Sequence, residues 1–237
     1  MSNRKGLLGP LARAALLACL AAAGCDKAPV QSRFPDPARP VSPIVSSRYL
    51  NEDVRDRVGE ATTVMRVAGI RAGMWVADVG AGEGYYTVRL APLVGARGRV
   101  LAQDVVPLTR DELARRVERE RLDNVAVKLG QPNDPMLPPH SFDRVFLIHM
   151  YHEVRRPSEF LWHLRDSLKV DGRVVVVDAD RPTDRHGTPP KLLVCEFASV
   201  GYELKRFEPL PDSESYIALF AAKGAKPAPE QIRVCAA

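Results

Sequence analysis

The chain has 237 residues, 46% of them hydrophobic and 27% charged, with a formal net charge of +5. That balance, without a low-complexity repeat, excludes a disordered or collagen-like chain and describes a folded one. Its four cysteines and five histidines include no Cys-x-x-Cys pair and no His/Cys cluster at ligand spacing, so no metal site is expected.

The N-terminus carries Arg4 and Lys5, then "LLGPLARAALLACLAAAG", then Cys25. A positive patch, an apolar core and small residues before a cut site describe a secretory signal over residues 1–24. Arg13 interrupts the apolar stretch, which leaves it short of the roughly 18 residues that a membrane span needs. Ala22, Ala23 and Gly24 before Cys25 resemble the end of a bacterial lipoprotein signal, although Ala22 stands where such signals usually carry Leu. The resemblance implies lipidation of Cys25 and, through it, a membrane as partner. Residues 25–48 are rich in Pro, Ser and charge and read as a tether between lipid and domain. Loss of residues 1–24 removes Arg4, Lys5 and Arg13 and no acid, lowering the formal charge from +5 by three to +2. The remaining Arg115, Arg116, Arg119 and Arg121 are interleaved with Glu112, Glu118 and Glu120, as on a solvated helix, so no nucleic-acid partner is expected.

From Tyr49 onward about 190 residues remain, enough for one domain with its own core. Val54, Val58, Ala61, Met65 and Ala68 recur at helical spacing, and Gly69 ends that helix before the strand "MWVADVG". A second helix runs from Gly84 to about Val94 and is followed by the strand "GRVLAQDV". "TRDELARRVERERL" is a helix opened by Thr109, with Glu112 completing a capping box. "NVAVKLG" and "FDRVFLIHM" are strands three and four, "PSEFLWHLRDSL" a helix, and "GRVVVVDAD" strand five. "GYELKRFEPL" and "SYIALFAAK" are joined by "PDSE", too short for a crossover helix, so they pair antiparallel. Apolar strands separated by helices imply an α/β, Rossmann-like, doubly wound and mostly parallel seven-stranded sheet, finished by a C-terminal antiparallel hairpin. The domain is read as residues 49–223, with 224–237 a flexible Ala/Pro-rich tail. An oxidising compartment allows Cys195 and Cys235 to pair, although sequence gives no bridge geometry.

"ADVGAGEGYY" (77–86) places Gly80, Gly82 and Gly84 where the first strand turns into its helix. Missing side chains there permit positive φ and let a ligand lie against the backbone. Asp78 precedes them and Asp104 ends strand two, where a carboxylate can accept hydrogen bonds from a ribose diol. A dinucleotide fingerprint wants a sixth-position glycine, and counting from Gly80 that position is Tyr85, which disfavours NAD. Asp-x-Gly-x-Gly-x-Gly instead resembles motif I of the class I S-adenosylmethionine-dependent methyltransferases, and the resemblance runs from about Tyr49 to Lys223. It implies S-adenosylmethionine as cofactor, with Asp78, Gly80, Gly82 and Gly84 at its methionine end and Asp104 on its ribose. It also implies a polar residue near the adenine after strand three, with Asn133 and Asp134 preferred over Gln131. Within "HMYHEV", residues His149, Tyr151 and His152 are candidates to contact an acceptor or take its proton.

The implied activity is methyl transfer to a small molecule, because no Asn-Pro-Pro-Tyr run suggests a nucleobase amine; acceptor and oligomeric state are unread. Two other readings stay open: a non-catalytic, envelope-tethered module for a nucleoside-like ligand, and a nicotinamide-dependent oxidoreductase. The N-terminus implies export to the cell envelope or periplasm, whereas S-adenosylmethionine is made in the cytoplasm. A supply outside the cytoplasm, a start codon misassigned upstream of a cytoplasmic enzyme, or a retained fold with another use would each reconcile the two.

Overall fold

The computed structural model describes residues 32–44 and 51–236. The expected signal and Cys25 lie outside the described residues. The apolar runs form β1 (Trp75–Val79), β2 (Arg99–Asp104), β3 (Val125–Leu129), β4 (Phe142–Ile148), β5 (Leu168–Ala179), β6 (Tyr202–Pro209) and β7 (Ser215–Ala222). They make one seven-stranded sheet in the order β3-β2-β1-β4-β5-β7-β6. The first five pair in parallel, and β7 runs antiparallel between β5 and β6. This is the expected α/β Rossmann-like arrangement, hairpin included.

Central strands read as unbroken apolar runs because both faces of the sheet are covered. Side chains alternate between two cores. Val145, Leu147, Val174 and Val176 pack with Phe160, Leu164 and Phe197, whereas Phe146, Val175 and Val177 pack with Met65, Leu90 and Val94. Strand order reverses at β1, with β2 and β3 to one side and β4 and β5 to the other. Such a switch point opens a crevice at the carboxyl ends of the strands.

The helices are α1 (Glu52–Arg57), α2 (Glu60–Ala68), α3 (Tyr85–Val94), α4 (Pro107–Arg119), α5 (Pro157–Arg165) and α6 (Pro190–Ser199). They depart from expectation in three places. The single helix expected over Val54–Ala68 is two, because Gly59 takes φ +63° and breaks an otherwise continuous periodic pattern. The helix expected to open at Thr109 with a capping box instead starts at Pro107, whose fixed φ suits the first helical position. Helix α6 carries no sequence expectation, since Pro189-Pro190 looks like a loop; Pro190 occupies a position where the missing N–H costs nothing.

Two described segments that flank the domain, residues 33–44 and 224–236, are packed on it, which composition alone does not suggest. Residues 33–44, expected within the tether, pack on the domain through polar anchors and through Phe34, whose ring lies edge to face 5.6 Å from that of Trp162. Arg39 is buried and donates from Nε to Glu196 Oε1 at 2.8 Å and from Nη2 to the Val154 carbonyl at 3.2 Å. Ser42 Oγ donates to the Thr183 carbonyl at 2.6 Å, and Thr183 Oγ1 donates to the Pro40 carbonyl at 2.6 Å. The segment expected as a flexible tail is likewise held. Trp162 Nε1 donates to the Pro227 carbonyl at 2.9 Å, Ile232 enters the core, and Cys235 is bonded to Cys195 of α6. Among the described residues no helix is long and apolar enough to cross a membrane.

Candidate cofactor site

A cavity of about 460 Å³ opens at the carboxyl ends of β1, β2 and β4. That is within the range of small-ligand sites, roughly 300–1,000 Å³. The glycine loop forms one wall. Gly80 and Gly82 line the cavity with φ of +68° and +55°. A Cβ on Gly80 would meet Met150 Cγ at 3.0 Å, whereas one on Gly82 would meet nothing within 4 Å. Gly82 therefore borders open space that a ligand can enter. Gly84 does not line the cavity: a Cβ there would lie 2.5 Å from Leu113 Cδ1 of α4, which makes it a packing glycine.

Asp104 braces this loop from the end of β2. Its Oδ2 accepts from the Gly82 N–H at 3.0 Å and its Oδ1 from the Val106 N–H at 2.9 Å, fixing the loop and the entry to α4. A carboxylate has about four acceptor directions, so capacity remains toward the cavity that Asp104 lines. Asp78, at the end of β1, is buried and accepts from Thr87 Oγ1 at 2.6 Å. Burial pushes its carboxyl up to about 6, against the pull of the Thr87 hydrogen bond.

The opposite wall holds His149 and Met150 after β4. His149 takes φ +54°, and its Nε2 lies 3.3 Å from Glu60 Oε2. Glu60 also accepts from Arg55 Nη2 at 2.6 Å and from the Tyr86 hydroxyl at 3.0 Å. Burial would raise the Glu60 carboxyl, but His149 and Arg55 together hold it down at about 2. Helix α1 closes the side through Glu52 and Arg55, with the Arg55 guanidinium 3.8 Å from the centre of the Tyr85 ring. None of Arg55, Glu60 and Gln103 was a candidate from sequence. Gln103 Oε1 accepts from the Gly80 N–H at 3.3 Å, and its only sequence signal is adjacency to Asp104.

Besides Gly84, four candidates sit elsewhere. Asn133 and Asp134 do not line the cavity, because Gln131 and Asp134 bridge into a tight turn and Asp134 accepts from the Met136 N–H at 2.7 Å; Pro132 lines the cavity instead. Tyr151 is fully buried in the core and donates to Glu196 Oε2 at 2.7 Å, which removes it from any contact with an acceptor. His152 is fully buried and faces Asp178, with Nδ1 2.9 Å from Oδ1.

Residues 76–172 match the family described as "Methyltransferase domain". Over those residues the chain is similar to a methyltransferase domain. Over 107 residues it is 30% identical to the protein-L-isoaspartate O-methyltransferase of Methanothrix thermoacetophila, covering 45% of this chain and 48% of that one. Over 161 residues it is 26% identical to the ubiquinone/menaquinone biosynthesis C-methyltransferase UbiE of Hahella chejuensis, covering 63% and 59%. The chain thus spans about half the length of these relatives. The crystal structure of a SAM-dependent methyltransferase from Aquifex aeolicus superposes with a TM-score of 0.66 at 23% identity, over 70% of this chain and 91% of that one, and shares the fold. The glycine loop (80–84) and Asp104 fall inside the matched residues.

Proposed function

We propose that the methyltransferase domain binds S-adenosylmethionine in this cavity and transfers its methyl group to a small-molecule acceptor. The observation that carries the reading is the loop itself: Gly82 borders open space and is hydrogen-bonded to Asp104 at the strand switch point. The residues fit the cofactor. Asp78 with the backbone of Gly80 to Gly82 would hold its methionine end, and Asp104 its ribose hydroxyls. When bound, the cofactor supplies an electrophilic methyl group on a sulfonium, so the protein's task is chiefly alignment. Glu60 orients His149 at the far wall, where the ring is placed to take a proton from an acceptor. The two relatives differ in the acceptor atom their names state, oxygen in one and carbon in the other, so they do not choose an acceptor for this chain.

The test is to incubate the full chain with S-adenosylmethionine and pools of phenols, amines, thiols and activated carbon acids, and to follow S-adenosylhomocysteine by mass spectrometry. Acceptor-dependent product is expected. Binding without product from every pool would favour the tethered binding module.

We also propose export and anchoring through a lipidated Cys25. The Cys195–Cys235 bridge supports an oxidising compartment, since such bonds are rare where thiols are kept reduced. Native protein should partition with membranes, and Cys25→Ser should abolish lipid labelling; an unprocessed, unlabelled soluble protein would overturn this reading.

A further inference from the structure

Beside the cavity lies a second cluster that methyl transfer does not use. His152 and Glu153 sit in the single turn of 3₁₀ helix after β4, and His186 in the loop between β5 and α6. One ligating atom from each lies within 4.8 Å of the others. The His152 ring is fully buried, with Nδ1 2.9 Å from Asp178 Oδ1. Asp178 is also fully buried and accepts from the Ala179 N–H at 2.9 Å and Thr188 Oγ1 at 2.7 Å. With donors converging on it, the carboxylate acts as acceptor throughout, which puts the imidazole proton on Nδ1 and leaves the Nε2 lone pair for another use.

That Nε2 is buried with no hydrogen-bond partner, and so is His186 Nδ1. Buried polar nitrogens without partners are rare in folded proteins. Here two of them belong to rings set edge to face, with centroids 5.4 Å apart. Glu153 Oε1 lies 3.9 Å from the free nitrogen of His152. The His186 loop is held deliberately in place. His186 takes φ +56°, its N–H donates to Ser42 Oγ at 3.1 Å, and a Cβ on the adjacent Gly187 would strike the Ala179 carbonyl at 2.5 Å.

We infer that His152, Glu153 and His186 form a binding site for a divalent first-row transition ion, Zn²⁺ by preference, with Asp178 as the outer carboxylate that orients His152. Two imidazole nitrogens and one carboxylate suit Zn²⁺, whereas Mg²⁺ and Ca²⁺ favour all-oxygen sets. An imidazole whose second nitrogen is held by a carboxylate is the usual arrangement behind a metal-ligating histidine. Three protein ligands leave a fourth position open. Glu153 also lines the cavity, which puts the ion close to its wall. The site does not depend on which cofactor the cavity takes.

The test strips the full chain with a chelator and titrates it with Zn²⁺, reading stoichiometry by elemental mass spectrometry and affinity by calorimetry. One equivalent is expected, with His186→Asn and Glu153→Gln each weakening affinity at least tenfold. Asp178→Asn should weaken it by about 10- to 100-fold, as outer-shell losses do. His163→Ala, remote from the cluster, should change nothing. Asn tolerates the left-handed conformation, so His186→Asn preserves the loop. Circular dichroism checks the fold of each variant, and Glu153→Gln decides if His186→Asn fails to fold. No stoichiometric uptake, or uptake equal in wild type and the folded ligand variants, would overturn the assignment.

Discussion

Gly82 and Gly84 stand two residues apart in sequence, yet one borders the cavity and the other is packed, and alanine substitution should part the two roles. At Gly84, with φ +90°, an added Cβ lies 2.5 Å from Leu113 Cδ1, and Leu113 is fully buried, so giving way disturbs other core atoms. A side chain in the left-handed region costs roughly 1–2 kcal/mol. Overpacking a filled core adds about 1–3 kcal/mol. Gly84→Ala should therefore lose about 2–5 kcal/mol of stability, or on the order of 10 °C in Tm for a domain of this size. Gly82→Ala meets no neighbour within 4 Å, so only the backbone cost of about 1–2 kcal/mol applies. Its added methyl stands instead in the space where a ligand would approach the loop, and S-adenosylhomocysteine affinity should fall at least tenfold. Urea denaturation and calorimetric titration of both variants read the two effects. A Gly84→Ala protein as stable as wild type, or a Gly82→Ala protein with unchanged affinity, would refute the division of roles.

Asp78 is pushed up to about 6 from an ordinary 3.8, so between those values the native state keeps a proton that the unfolded chain has lost. Stability should fall as pH rises through that window, by about 3 kcal/mol at 1.36 kcal/mol per unit, and denaturation from pH 4 to 7 should show Asp78→Asn flattening the slope. Arg39 and Glu196 form a buried ion pair at 2.8 Å; Arg39→Ala leaves the acid uncompensated and should cost about 3–5 kcal/mol in urea denaturation, and a cost below about 1 kcal/mol would detach residues 33–44 from the domain. Cys195 and Cys235 close a loop with a sequence separation of 40, so Cys195→Ser should cost about 4 kcal/mol on the loop-entropy relation, checked against reduction of the wild type.

The sheet was legible because its central strands are buried on both faces, so their apolar runs stand out against helical segments without knowledge of their partners. The glycine loop and Asp104 were legible because strand, turn and acid follow one another closely in sequence. Gly59 was not, since Val54, Val58, Ala61, Met65 and Ala68 keep helical spacing across the break that places α1 beside the cavity. The ordering of residues 33–44 and of the tail depends on single anchors, Arg39, Ser42, Ile232 and Cys235, whose partners are distant in the chain. His152 could be noticed but not understood. Its partners Asp178 and His186 come from the end of β5 and the loop beyond, and only the sheet register brings them to it.

Calorimetric titration of the full chain with S-adenosylmethionine, S-adenosylhomocysteine and NAD tests the cofactor site most directly. Both adenosyl ligands should bind at one site per chain, with affinity lost in Gly82→Ala, and NAD should not bind. Binding of NAD without either adenosyl ligand would contradict the assignment of the glycine loop and Asp104.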